Sequence, residues 1–392
     1  MSYLPKNFSV VKREPFDEKD HYYTPPDQGD AKKTLVPIPT SVNLRSSDSN
    51  GKFFAEIYDQ YSMGSCTANA TAAALYYEEK RAGRSKDWEF HGSSDPKYAG
   101  PSRRFIYWLG RGGYKTDSHD ISDPQDTGSF TRDAIKGLFV VGCCLEVFNS
   151  YPNYVDMSKT IKDSPLYQPS QKTPDFINEE VKKIINFSFV NMKPSDMAFE
   201  DAKKHKITAF YRVDPDRPEV DDGRKTDQEK DLIGNRTLTN LRHCLNEGFP
   251  VILSFLLYDS QNSMFKKENE KDLVLIDPWK TKGQKRHSSP TGGHGGHSVL
   301  AIGYNDTRRL VLIQNSWGPK YEYPNGNGPG SNLVTDGTFW MPYAFIQDFA
   351  ATFDFWTIRT DQLKRTLSVT TWQQVDDEIK NGIRTRDPNL AL

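Results

Sequence analysis

A mixed α+β fold in two lobes follows from three observations. Segments with helical spacing of apolar residues fill the first half of the 392-residue chain. Apolar runs rich in β-branched residues, bounded by turn signals, fill the second half. Helices first and strands later is the order of an α+β chain, since alternation would signal a parallel sheet with crossover helices.

The elements can be justified in order. Residues 1–36 are polar, with "EPFDEKDHYYTPPDQGDAKK" rich in charge and proline, and are expected as an extended arm or short leader. Ordered structure is expected to begin near "LVPIPTSVNL". From Cys66 to about Lys80 strong helix formers follow one another, Ala72, Leu75 and Tyr76 can share a face, and Gly83 supplies a stop. Further helices are expected across "SRRFIYWLGR", "FTRDAIKGLFVVG" and "TLTNLRHCLNEG", the last ending at Gly248. "PVILSFLLY", "HSVLAIGY" and "RRLVLIQNSW" read as buried strands, with "NDTR" as a hairpin-type link between the last two. "GTFWMPY" and "DFWTIR" supply two more. The charged stretch "FKKENEKDLVLIDPWKTKGQKRHSSPTGG" and the Gly/Pro/Asn-rich "PKYEYPNGNGPGSNLVTDG" are expected as surface loops. The tail past Arg359 is expected to be partly helical around "TTWQQVDDEIKNG".

Bulk properties exclude several classes. Lys+Arg 51 against Asp+Glu 52 leaves a net charge of −1, so nothing draws the chain toward nucleic acid or anionic lipid. No segment approaches the roughly 18 apolar residues of a membrane span, and "MSYLPKNFSVVKREPFDEKDHYY" lacks the apolar core of a secretory signal. Four cysteines are present, Cys66, Cys143, Cys144 and Cys244. If one is catalytic, the odd remainder is a poor disulfide framework, and a reducing, intracellular location is expected.

Four residues carry the chemistry. Cys66 follows "GS" at the start of a helix, Gln60 lies six residues before it, His297 stands in "GGHSVLAIGY", and Asn315 in "QNSWG". A thiol with its usual pKa of about 8.5 is mostly protonated at neutral pH. The positive end of a helix favours its anion, and an imidazole can take its proton to give a thiolate–imidazolium pair. A side-chain amide can hold that imidazole in orientation. The Gln60 amide and the Cys66 backbone N–H could meet the oxyanion of acyl transfer. Adjacent antiparallel strands would bring His297 and Asn315 together.

"DQYSMGSCTANA", "GGHSVLAIGY" and "QNSWG" resemble the three active-site blocks of papain-like (cathepsin-type) cysteine peptidases. "DTGSFTRDAIKGL" and "FWMPYAFI" with "DFWTI" resemble the branch found in bacteria and large DNA viruses. The resemblance covers roughly residues 37–359 and implies a papain-like fold, a helical lobe (37–175) and a β-barrel-like lobe (176–359) with the active cleft between them; 360–392 would be a C-terminal extension. It implies Cys66 as nucleophile, His297 as general base, Asn315 as its orienter, Gln60 in the oxyanion hole and Trp317 as a shield over the His–Asn hydrogen bond. Gly128, in "DTGSF", would let an extended substrate backbone approach or would only start the following helix. A protein or peptide substrate is implied, with no metal or organic cofactor.

The sequence departs from the family pattern. Met63 replaces the first cysteine of the usual Cys-Gly-Ser/Ala-Cys-Trp/Tyr signature, removing a disulfide, and Thr67 replaces the aromatic, which is expected to leave the chemistry untouched. Cys66 and His297 are 231 residues apart (297 − 66), against roughly 130–150 in the pattern, so inserts are expected, one of them at "PSQKTPDFINEEVKK". His294 and His297 form His-Gly-Gly-His, a flexible loop rather than a zinc-binding helical face, and metal binding is not expected. Cys143, Cys144 and Cys244 are expected in the core. Two competing readings stay open: a catalytically blocked papain-fold scaffold or virion component, and a zymogen whose arm crosses the cleft. Oligomeric state and substrate preference are not legible.

Overall fold

The computed structural model describes residues 14, 17, 20–25, 37–46, 53–84, 88, 100–115, 125–152, 154–185, 189–215, 225–257, 264–268, 272–276, 286–287, 295–319, 322–323, 333–334 and 336–360. The expected tail helix and His294 lie outside them.

The helical half centres on α1 (Cys66–Arg81). This helix is buried almost all round from Cys66 to Glu79, which explains its five small Ala residues: neighbours approach it from every side. Helices α2 (Arg103–Gly110) and α3 (Thr131–Val140) pack on it and on each other. Ser102 caps α2 by accepting the Phe105 N–H. A hairpin of α4 (Tyr154–Asp163) and α5 (Pro174–Ile185) comes next, with α5 falling largely in the stretch expected as an insert, and α6 (Asp196–Ala202) follows. Helix α7 (Asp227–Asn246) starts ten residues before the expected segment, at a capping box of Thr226 and Glu229. A single turn, α8 (Tyr343–Ile346), closes the set.

Eleven strands are described: β1 (Ser41–Asn43), β2 (Ala209–Arg212), β3 (Val251–Leu256), β4 (Phe265–Lys267), β5 (Leu273–Leu275), β6 (Gly296–Asn305), β7 (Leu310–Gln314), β8 (Glu322–Tyr323), β9 (Leu333–Val334), β10 (Thr338–Pro342) and β11 (Thr352–Arg359). The main sheet runs β2-β11-β3-β6-β7-β10-β5-β4, with β1 added against β6, and β8 pairs with β9 apart from it. Among the described residues the path is open, its ends at β2 and β4, where the resemblance implied a barrel-like closure. The charged stretch expected as a loop supplies β4 and β5, because its Leu273-Val274-Leu275 triplet is buried. The Gly-rich stretch likewise supplies the short pair β8 and β9.

Two apolar clusters divide the molecule. One joins α1, α2, α3 and α5 to one sheet face, through residues such as Phe105, Leu138, Val181 and Ile302. The other fills the space between α7 and the opposite face, with Leu241, Phe255, Ile313 and Phe345. Alternate residues of β6 enter each cluster, as the two-residue period of a strand requires.

Residues of the expected arm are packed rather than free. Glu14 and Asp20 are buried. Asp20 meets Arg132 of α3 at 2.5 Å and Arg212 of β2 at 3.2 Å. Arg212 also reaches Asp214 at 3.0 Å and Asp354 at 3.4 Å. Glu14 accepts from the Arg132 backbone N–H and from Trp356 Nε1. Tyr22 bridges Arg212, extending the sheet edge by one pairing.

Candidate active site

Cys66 is the first residue of α1, as its place after Gly64-Ser65 suggested. The Ser65 side chain makes no cap on this helix and its first turn holds no acidic residue, which leaves the positive end of α1 beside the thiol. Ser65 instead bonds Tyr151 through its hydroxyl, and Asn69 Nδ2 donates to Ser65 O at 2.9 Å, which fixes the turn before the thiol. Cys66 is 3% exposed and packs on Phe353 and Leu256.

His297 is the second residue of β6, held between β3 and β7. Its Nε2 lies 2.7 Å from Asn315 Oδ1. The same oxygen accepts the Ser316 N–H at 2.8 Å, so the amide orientation is set and Nε2 is the ring nitrogen that carries hydrogen. Nδ1 is then the basic nitrogen. The register pairs Leu300 with Gln314, and continued outward it sets residue 297 opposite 317. Trp317 accordingly stacks on the ring, centroids 4.7 Å apart at 27°, and Phe255 meets it edge-on at 5.8 Å. These walls exclude water, and burial pushes His297 down to about 4, against a smaller opposing pull from Asn315.

The Cys66 and His297 neighbourhoods meet directly: Thr67 Oγ1 and Ser298 Oγ, the next residue after each, are 3.3 Å apart. Burial raises the Cys66 thiol, while the amides and hydroxyls of Ser298 and Thr67 favour its anion. The other three cysteines are free and buried, and burial pushes all of them up, Cys244 to about 11.

Gln60 is buried beside this turn. Its Nε2 donates to Met63 O at 3.0 Å and its Oε1 accepts from Ser316 Oγ at 2.7 Å, so its amide links the turn before Cys66 to the Asn315 segment. Gly128 has φ +85°, a conformation that favours glycine, and its N–H donates to Tyr107 Oη at 3.2 Å. The next residue, Ser129, accepts the Thr67 hydroxyl, so the Gly128 turn borders α1's first turn.

Asp126 was not singled out by sequence. Its Oδ2 accepts the Gly64 N–H at 2.7 Å and its Oδ1 accepts from Tyr107 Oη at 2.5 Å. It ties the turn before Cys66 to the 125–130 segment where Met63 leaves no thiol for a covalent link. Its only sequence signal was an acidic residue close before Gly128.

No family model matches the chain. An uncharacterized peptidase C1-like protein of Acanthamoeba polyphaga mimivirus is 24% identical over 399 residues, spanning 99% of this chain and 93% of the relative. Among solved structures, xylellain, a cysteine protease from Xylella fastidiosa, superposes with a TM-score of 0.56 at 28% identity, covering 91% of this chain and 97% of that one. A digestive procathepsin of Tenebrio molitor larval midgut gives 0.45 at 13% identity, covering 90% and 77%. In fold and in sequence the chain resembles papain-like cysteine peptidases, a class of hydrolases.

Proposed function

We propose that the chain hydrolyses peptide bonds through Cys66 and His297, with a protein or peptide as substrate. The observation that carries this reading is the His297–Asn315 hydrogen bond at 2.7 Å, set beside the start of α1 by the Thr67–Ser298 contact. It leaves Nδ1 unprotonated and able to receive the thiol proton.

In the closed site, burial favours a neutral thiol and a neutral ring. Proton transfer from Sγ to Nδ1 creates the thiolate–imidazolium pair as the sulfur attacks the carbonyl carbon. The positive end of α1 and the donors on the sulfur stabilise the anion. Asn315 holds the ring, and Trp317 keeps water from their hydrogen bond. Oxygen of the tetrahedral intermediate faces the Cys66 N–H and the Gln60 amide. His297 then protonates the leaving amine, and water releases the acyl group from Cys66. Gly128 offers its turn to the extended substrate. The scaffold reading gains nothing from the similar proteins named above.

Cys66→Ala is expected to abolish hydrolysis of fluorogenic peptides and labelling by an epoxide-type thiol inhibitor, with the melting temperature kept. Turnover equal to the unaltered chain's would rule the reading out.

A further inference from the structure

Tyr151 lies between the short Glu146–Phe148 turn and α4, and it is buried. Its hydroxyl donates to the Gln60 carbonyl at 3.0 Å and meets Ser65 Oγ on another side. A phenol has one proton, so with that proton on Gln60 O the Ser65 hydroxyl donates to Tyr151. Ser65 Oγ in turn accepts from Asn69 Nδ2 at 3.0 Å, and Asn69 Oδ1 accepts from Arg103 Nη1 at 3.5 Å. The donors thus run one way, from Arg103 through Asn69, Ser65 and Tyr151 to Gln60. Burial pushes the phenol up, which keeps it a donor. The rest of the residue is held independently. Arg103 lies over the ring at 4.0 Å, the Tyr151 N–H donates to Glu146 Oε1 at 2.7 Å, and Glu146 pairs with Arg103 at 3.4 Å.

The two residues that this hydroxyl bridges bear the two oxyanion donors of the proposed function. Gln60 supplies its side-chain amide, of which one hydrogen is taken by Met63 O. Ser65 shares its peptide unit with the Cys66 N–H. Each end of the turn has a tie of its own: the Met63 N–H reaches Gln60 O at 3.1 Å, and the Asn69 N–H reaches Ser65 O at 3.0 Å. What the phenol adds is the cross-bond between the ends. Resting on the peptidase reading, we propose that Tyr151 is a positioning residue for the reaction, whose hydroxyl, bonded to Gln60 O and to Ser65 Oγ, sets the spacing of the two oxyanion donors. It touches neither the sulfur nor the imidazole, so its effect falls on the tetrahedral intermediate and not on the thiol. Misplacement of such donors by a fraction of an ångström already weakens them.

The test compares variants of the full chain in kcat and KM on a fluorogenic peptide and in the rate of Cys66 alkylation by iodoacetamide, with Cys66→Ala as background. Alkylation at a saturated carbon forms no oxyanion, so it reads the thiol alone. Tyr151→Phe keeps the ring and is expected to lower kcat about tenfold, with KM and the alkylation rate unchanged. Gln60→Ala is expected to lower kcat about a hundredfold. The double variant is expected to fall no further than Gln60→Ala alone, since spacing has no meaning once one donor is gone. Ser65→Ala, which cuts the other side of the bridge, is expected to give the same split between kcat and alkylation, and it decides the matter where the phenylalanine variant does not fold. An unmoved kcat in Tyr151→Phe or Gln60→Ala, losses that multiply in the double variant, or an alkylation rate that falls with kcat overturns the proposal, while hydrolysis by the unaltered chain preserves the peptidase reading. Absence of both hydrolysis and specific Cys66 alkylation in the unaltered chain sinks the peptidase reading, and this one with it.

Discussion

His297 shows how one side chain can be tuned by its walls. Trp317 and Phe255 keep it dry, and Asn315 decides which nitrogen carries hydrogen. Its pKa falls from 6.5 to about 4 because the fold disfavours the charged ring. An unfolded chain takes up that proton near 6.5, whereas the folded one resists until about 4. Stability from this residue is therefore full above 6.5 and is lost as pH falls toward 4, on the order of 3 kcal/mol at full extent. Buried Glu14, Asp126 and Glu146, raised by desolvation, act in the opposite sense, so the variant comparison isolates the ring. Calorimetric melts at pH 7 and pH 4 should show a smaller drop for His297→Asn than for the unaltered chain; equal drops would contradict it. The identities of Cys66, His297 and Asn315 were legible because reactive residue types sat in distinctive local strings. The contact of Thr67 with Ser298 was not, since it joins side chains of a helix and a strand 231 residues apart.

At the scale of elements, a carboxylate tie takes the place that a disulfide would fill. Asp126 joins the turn before α1 to the segment before α3, and Tyr107 of α2 braces it. Asp126→Ala would remove the carboxylate that accepts the buried Gly64 N–H, at a cost of about 1–3 kcal/mol. Because that N–H lies two residues before Cys66, turnover is expected to fall by more than the loss of folded protein explains. Active-site titration against kcat on the soluble fraction checks this; a specific activity equal to the unaltered chain's would refute it. Helices α1, α2 and α3 could be read from sequence because apolar spacing and stop residues agree there. The start of α7 was missed because "TDQEKDLIGNR" opens on charges, although Thr226 and Glu229 carry the capping pattern. Strands β4 and β5 were missed because each is three residues long and set among lysines and glutamates.

For the molecule as a whole, the described residues between Glu14 and Tyr23 form a seam. Asp20 and Glu14 sit with Asp214, Asp354, Arg132 and Arg212 in a buried cluster beneath the Trp356 ring, which both guanidiniums approach within 5.7 Å. A buried charge that loses its partner costs about 3–5 kcal/mol. Deleting residues 1–23 should therefore lower the melting temperature and leave the specific activity of the surviving folded protein no higher. A rise in activity with an unchanged melt would support the zymogen reading instead. The mixed α+β plan was legible from the order of signals. The placement of the arm was not, because its charged residues resemble a solvated leader until their partners, up to 342 positions away, are known.

That same long reach has a consequence for biosynthesis. Glu14 closes onto Asp354 and Trp356, near the far end of the described chain. Translation must therefore pass Trp356 before Glu14 can close onto it. On the proposed function, Cys66 and His297 also come together late, since β6 emerges long after α1. A half-made chain then carries Cys66 without His297, and that reading gives no hydrolysis before β6 is made.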